Sequence, residues 1–216
     1  MKYALLVCDG MADYPLTEIG GRTPLEAART PNMDFIAAHG RIGKVKTVPA
    51  GFAPASDVAQ ISILGYDPKK YYTGRGPLEA ANLGVDLKED DVAFRCNLVT
   101  ASGDTLKDYS AGHISSKEAA ILIDFINEKL GTNFIKFYPG ISYRHLMVIR
   151  RGAEEHMEKI LCRPPHDITG QGIKKNYPKG DNARILIGLM EESRRALDKH
   201  EINLVRLDLK ENPANM

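Results

Sequence analysis

The chain opens on an unbroken apolar run, Tyr3 to Cys8 (YALLVC), that does not alternate with polar positions. Such a run predicts a strand buried on both faces of a parallel sheet. It stops at Asp9-Gly10, and after a polar stretch the sequence RTPNMDFIAAHG predicts a helix. Thr30 can cap it, Pro31 suits its first position, Met33, Ile36 and Ala37 share a face, and Gly40 can end it. A second strand is expected over Ile42 to Val48, which makes strand, helix, strand, the unit of doubly wound α/β sheets. A helix should begin near Ser56, and a further short one in GRGPLEAANLG, with Pro77 at its start and Gly84 at its end.

Beyond Asp86 the texture changes. Strand pieces at Val92 to Thr100, Phe134 to Tyr138 and His145 to Ile149 surround one strong helix, Ser115 to Leu130, with Ser115 and Glu118 in capping-box register and Gly131 after its end. A last amphipathic helix, about Asn182 to His200, carries Ile185, Leu186, Leu189, Met190 and Leu197 on one face. The pattern predicts an α/β first block over 1–86, an inserted α+β domain over 87–180, and a return segment over 181–216. The first block supplies two strands, too few to cover both faces of a doubly wound sheet, so the sheet is expected to be incomplete as it stands.

Composition adds mainly exclusions. With 43% hydrophobic and 26% charged residues among 216, the chain has the make-up of an ordinary globular protein. A formal net charge of +1, with basic and acidic residues interspersed, offers no stripe for a nucleic-acid backbone, and no nucleic-acid partner is expected. Cys8, Cys96 and Cys162 are far apart and form no CxxC pair, which argues against a disulfide framework or a cysteine-zinc cluster and fits a reducing cytoplasm. The short apolar run at the N-terminus predicts neither a signal peptide nor a membrane anchor.

Two residues stand out as candidate chemistry. Asp9 lies just beyond the carboxyl end of the first expected strand, where ligands of open α/β sheets gather, and its carboxylate suits magnesium, manganese or zinc. The competing reading is an ordinary Asp-Gly turn. Ser56 sits where a helix starts, so it either caps that helix or, beside the first-turn N–H groups of Asp57 and Val58, attacks phosphorus. His113, in YSAGHISS, and Arg144 and His145, in SYRHLMV, lie in loops beside predicted elements, as do Arg163, His166 and Asp167; arginine suits bidentate recognition of carboxylate or phosphate. Neither a Walker loop nor a GxGxxG after a strand is present, so no nucleotide site is predicted.

Taken in order and spacing, LLVCDGMAD, TPNMDFIAAHG, APASDVAQISILGYDP, YYTGRGPLEAANLGV, FRCNLVT, YSAGHISS, YPGISYRHLMV and PPHDI resemble the archaeal-type cofactor-independent phosphoglycerate mutases of the alkaline phosphatase superfamily. The resemblance runs through the whole sequence and implies an alkaline-phosphatase-like doubly wound sheet with an inserted substrate domain. It implies interconversion of 2-phosphoglycerate and 3-phosphoglycerate, in glycolysis and gluconeogenesis, with no 2,3-bisphosphoglycerate. Ser56 then matches the serine that becomes transiently phosphorylated and Asp9 a ligand of one of two divalent ions, manganese, zinc or magnesium. His113, Arg144 and His145 fall in motifs of the substrate-gripping insert. Members of that family are nearly twice as long, and their second half supplies further aspartate and histidine metal ligands. The sequence is therefore expected to represent an N-terminal part, acting on a small phosphorylated acid and associating either with itself or with a separate C-terminal half. Two rival readings are a homoserine kinase-like phosphotransferase of the same superfamily and a catalytically silent half needing its partner.

Overall fold

A computed structural model describes all residues from Met1 to Met216. They form two compact units, Met1–Tyr72 and Thr73–Met216. No helix is long and apolar enough to cross a membrane.

The first unit is made of helices and turns. It holds a 3-10 turn at Thr17–Ile19, α1 (Pro24–Ala27), α2 (Pro31–His39), α3 (Ser56–Ile63) and α4 (Pro68–Tyr71). Local signals act as expected: Thr23 and Glu26 close a reciprocal capping box on α1, and proline occupies the first turn of α1, α2 and α4. The strands expected at residues 3–8 and 42–48 are not formed. Backbone there belongs to no ladder, and the apolar side chains lie in water, Tyr3 at 89% exposure, Leu6 at 87% and Ile42 at 82%. A strand exists only through the neighbours that pair its N–H and C=O groups, and this unit has a single isolated bridge, Leu16 to Arg22. The expected parallel doubly wound sheet is not formed by these residues, whose paired strands are all antiparallel.

The second unit is a mixed α/β body. It contains α5 (Arg75–Asn82), β1 (Val92–Asn97), β2 (Thr100–Ser102), β3 (Thr105–Asp108), α6 (Ser116–Leu130), β4 (Ile135–Ile141), β5 (Arg144–Ile149), α7 (Ala183–Leu197) and α8 (Glu201–Asp208). β1, β5 and β4 form one sheet in that order; β2 and β3 form a hairpin. The alternation of β5 sorts its side chains: Leu146 and Val148 pack with Ala80 of α5, whereas Met147 and Ile149 join Leu122 and Ile126 of α6 and Leu186 and Leu197 of α7 in the main core. α5 lies so close to β1 that a Cβ on Gly76 would stand 1.8 Å from the Ala93 carbonyl oxygen. That contact explains why α5 belongs to this unit although the sequence grouped it with residues 1–86.

The segment 181–216, expected to return to the first block, docks on the second unit. The helix expected to run on to His200 stops at Leu197. The Leu197 carbonyl accepts from His200 N and from the Asn203 amide, and the His200 ring accepts the Ile202 N–H to start α8. The tail then lies along the hairpin entry. Val99 N donates to Met216 O at 2.8 Å, the Asn215 amide accepts from Ala101 N at 2.7 Å and donates to Ala101 O at 3.1 Å, and Thr100 Oγ1 donates to Pro213 O.

Candidate active site

Ser56 does not cap its helix. Ala55 occupies the N-cap position in extended backbone, Ser56 is the first helical residue, and no side chain caps the start of α3. The hydroxyl instead donates to the Asp9 carboxylate, 3.0 Å to Oδ2 and 3.3 Å to Oδ1. Asp9-Gly10 is a turn, with Gly10 at φ +73°, and that turn delivers the carboxylate to Ser56. The pair lines an exposed cleft of about 210 Å³ whose wall includes Val7, Met11, Gln60 and Ile63. An exposed serine hydroxyl hydrogen-bonded to a carboxylate at the first turn of a helix has an acceptor for its proton and backbone N–H groups facing any phosphoryl oxygens that approach.

The same geometry tests the expected metal ions. Asp9 and Ser56 offer donors for one edge of a coordination sphere, but zinc takes about four ligands and magnesium about six. No group of three or more His, Cys, Asp or Glu side chains able to hold a metal ion occurs in the chain. The residues present therefore do not make a complete site.

The remaining candidates lie in the second unit. His113 is exposed, at φ +52°, in the loop between β3 and α6. Arg144 is exposed at the start of β5, its guanidinium 5.9 Å from the Tyr143 ring centre. His145 is 1% exposed. Its Nδ1 accepts the Gly140 N–H at 3.0 Å, Nε2 has no partner, and burial pushes its pKa down to about 4. In this arrangement its ring is neutral and closed to solvent, and it acts on the bulge between Tyr138 and Ile141 rather than on a dissolved anion.

Sequence reasoning missed what draws these loops together. Tyr109 packs edge-on against Tyr143, with ring centres 5.6 Å apart, and against His166 at 6.2 Å, so YSAGHISS, SYRHL and PPHD meet along one aromatic seam. Ser142 adds to it: its Oγ donates to Ile114 O at 2.8 Å, and its N–H donates to Ser116 Oγ. The tyrosines beside the predicted His113 and Arg144 were the available signal. Arg163 and Asp167 play local parts, Arg163 donating to Asn176 and Asp167 standing 3.4 Å from His166. Burial raises the Cys96 thiol to about 12 and also raises Cys162, so neither competes as a nucleophile on acidity.

Residues 37–203 match the family described as 2,3-bisphosphoglycerate-independent phosphoglycerate mutase. The chain belongs to that family. A 2,3-bisphosphoglycerate-independent phosphoglycerate mutase from Methanosarcina mazei is 57% identical over 215 residues, which is 100% of this chain and 53% of that protein. A probable enzyme of the same name from Geobacter sulfurreducens is 52% identical over 219 residues, covering 100% of this chain and 54% of that one. Among solved structures, a cofactor-independent phosphoglycerate mutase from Thermoplasma acidophilum superposes with a TM-score of 0.59 at 31% identity, covering 95% of this chain and 55% of that one. The chain thus spans about half the length of the phosphoglycerate mutases it matches.

Proposed function

We propose that this chain carries the phosphoryl-transfer serine of a phosphoglycerate mutase that interconverts 2-phosphoglycerate and 3-phosphoglycerate in cytoplasmic glycolysis and gluconeogenesis. The observation that carries the reading is the Ser56 hydroxyl, turned away from capping and onto Asp9 at 3.0 Å. In the forward half, Ser56 Oγ bonds to phosphorus as the P–O bond to the glycerate oxygen breaks, and that oxygen takes up a proton equivalent to the one Ser56 gave up. In the return half, the other glycerate hydroxyl attacks the phosphoserine, loses its proton, and Ser56 Oγ leaves. Nothing is consumed, as an isomerisation requires. The first-turn N–H groups of α3 face the charge that builds on the phosphoryl oxygens. His113 and Arg144 are proposed to hold the acid in the second unit, with His145 setting the bulge beside Arg144.

In this reading the first unit is part of an alkaline-phosphatase-like sheet. The exposed apolar run at 3–8 and the exposed Ile42 and Val45 side chains are the surfaces that further strands would cover. The shortage of metal ligands favours a companion reading, in which two divalent ions, manganese, zinc or magnesium, are completed by a second polypeptide segment, a separate C-terminal half or a second copy. The test is mutase activity of the purified chain with manganese, beside Ser56→Ala prepared identically, with mass spectrometry for phosphoserine after quenching. Turnover and a phosphorylated Ser56 peptide, both lost in the variant, are expected if the site is complete. A folded wild type that gains either property only on adding a C-terminal half supports the companion reading, and a phosphorylated residue other than Ser56 overturns the assignment.

A further inference from the structure

We propose that Arg206, Asp108 and Asn212 are positioning residues for His113, holding Ala111–Gly112–His113 in a left-handed turn that presents the imidazole to the anionic oxygens of a small acid. The proposal rests on the reading of His113 as a substrate contact.

The starting observation is strain. Ala111, Gly112 and His113 have φ of +49°, +67° and +52° in succession, and only the middle residue is the glycine that such backbone favours. A non-glycine residue held there is strained and persists only where its surroundings over-determine it. Those surroundings are explicit. Asp108 Oδ1 accepts from Ser110 N at 2.8 Å and Ser110 Oγ at 2.7 Å, while Oδ2 accepts from Gly112 N at 2.8 Å and the Asn212 amide at 2.9 Å. Burial pushes the Asp108 carboxyl up, but these bonds together outweigh it and bring the group down to about 2, so the bracket is charged throughout the neutral range. Ser110 Oγ in turn accepts the His113 N–H at 3.2 Å.

Arg206, only 4% exposed, closes the rear of the turn. It donates to Ala111 O and Asn212 O, each at 2.9 Å, and to Glu118 Oε1 at 3.0 Å. Glu118 also receives the Ser115 hydroxyl at the start of α6, so one guanidinium joins the turn, the helix start and the segment after α8. Space behind the turn is full: a Cβ on Gly112 would stand 3.2 Å from Arg206 Nη2 and 3.3 Å from Asn212 Cβ.

A bracket that served folding alone would be best matched by glycine or asparagine at position 113. Histidine there bears the backbone cost while its side chain stands at the surface. The fastenings grip residues 110–112 and the His113 backbone, so the imidazole is aimed by its loop and stays available to a ligand.

The test uses the 216-residue chain, with Asp108→Asn, Arg206→Lys, His113→Ala and the double variant Asp108→Asn/His113→Ala. Hydrogen exchange of the Gly112 and His113 amides is compared with that of Leu146 and Val148, and the His113 ring signals are followed by NMR against 3-phosphoglycerate and inorganic phosphate. Expected are at least tenfold faster exchange at Gly112 and His113 in either bracket variant with the sheet amides unchanged, and about tenfold weaker binding in both bracket variants and in His113→Ala. The double variant should bind no more weakly than His113→Ala, because both act through one ring. Unchanged exchange, bracket variants that bind like wild type while His113→Ala does not, or additive losses would overturn the proposal. It also falls if neither ligand moves the wild-type ring signals, or if His113→Ala binds like wild type. Ring shifts with phosphate in a chain that performs no mutase chemistry, alone or with a C-terminal half added, would leave the positioning role intact and remove the proposed reaction.

Discussion

At the scale of single residues, burial decides what each titratable side chain can do. His145 shows this most plainly. Enclosed at 1% exposure, it keeps its pKa near 4 against an ordinary 6.5, so the folded chain refuses a proton that the unfolded chain accepts. Stability should therefore fall as pH drops from 6.5 toward 4, by about 3 kcal/mol for the full gap. Asp108 acts at lower pH: its depressed carboxyl contributes stability that is present above 3.8 and is lost as pH falls toward 2. Urea unfolding midpoints of wild type and His145→Asn between pH 7 and 4 separate the two. The variant keeps an acceptor for the Gly140 N–H but has no titrating group at position 145, so its midpoint should be flatter with pH. Equal slopes would count against the buried histidine as the cause.

At the scale of elements, close approach governs. α5 touches β1 through Gly76, and Gly76→Ala would drive a methyl group into the Ala93 carbonyl with no flexible side chain to move aside. A loss of about 2–3 kcal/mol is expected, readable as a lower thermal midpoint, whereas Gly188→Ala in α7, where nothing lies within 4 Å, should be neutral or stabilising. Helix starts and stops were the most legible part of the sequence. Pro31, Ser115 and Gly131 mark the bounds of α2 and α6 as read from local chemistry, because caps and prolines act on neighbouring residues. The short β2–β3 hairpin escaped notice, since Thr100–Ser102 and Thr105–Asp108 are too brief to show a period. The stretches at 3–8 and 42–48 misled for the opposite reason: the apolar run at 3–8 and the Ile42, Val45 and Val48 side chains state what they need to be buried against, and the structure holds no neighbouring strand for them. Of the candidate site, Asp9 and Ser56 were legible from type and position. The bracket behind His113 was not, since Arg206 and Asp108 meet only through the fold.

At the scale of the whole chain, the two units differ in how much core each encloses. Of the buried hydrophobic residues, only Val58 belongs to Met1–Tyr72, while the second unit holds the clusters around Leu122, Leu146 and Leu106. A fragment comprising Thr73–Met216 should accordingly unfold in one cooperative transition by circular dichroism. Residues 1–72 alone should bind a hydrophobic dye and unfold without a sharp midpoint; the reverse result would place the folding core in the wrong unit. The second unit is also closed by its last residues. Asn215 grips Ala101 from 114 positions away, and Met216 pairs with Val99. On a ribosome this order has a cost. Val99, Thr100 and Ala101 emerge long before Pro213 to Met216 exist to pair them, so the hairpin entry must wait with open hydrogen-bonding groups while the intervening chain is made. Synthesis speed and chaperone cover over that interval, rather than the stability of the finished unit, would then set the yield of folded protein.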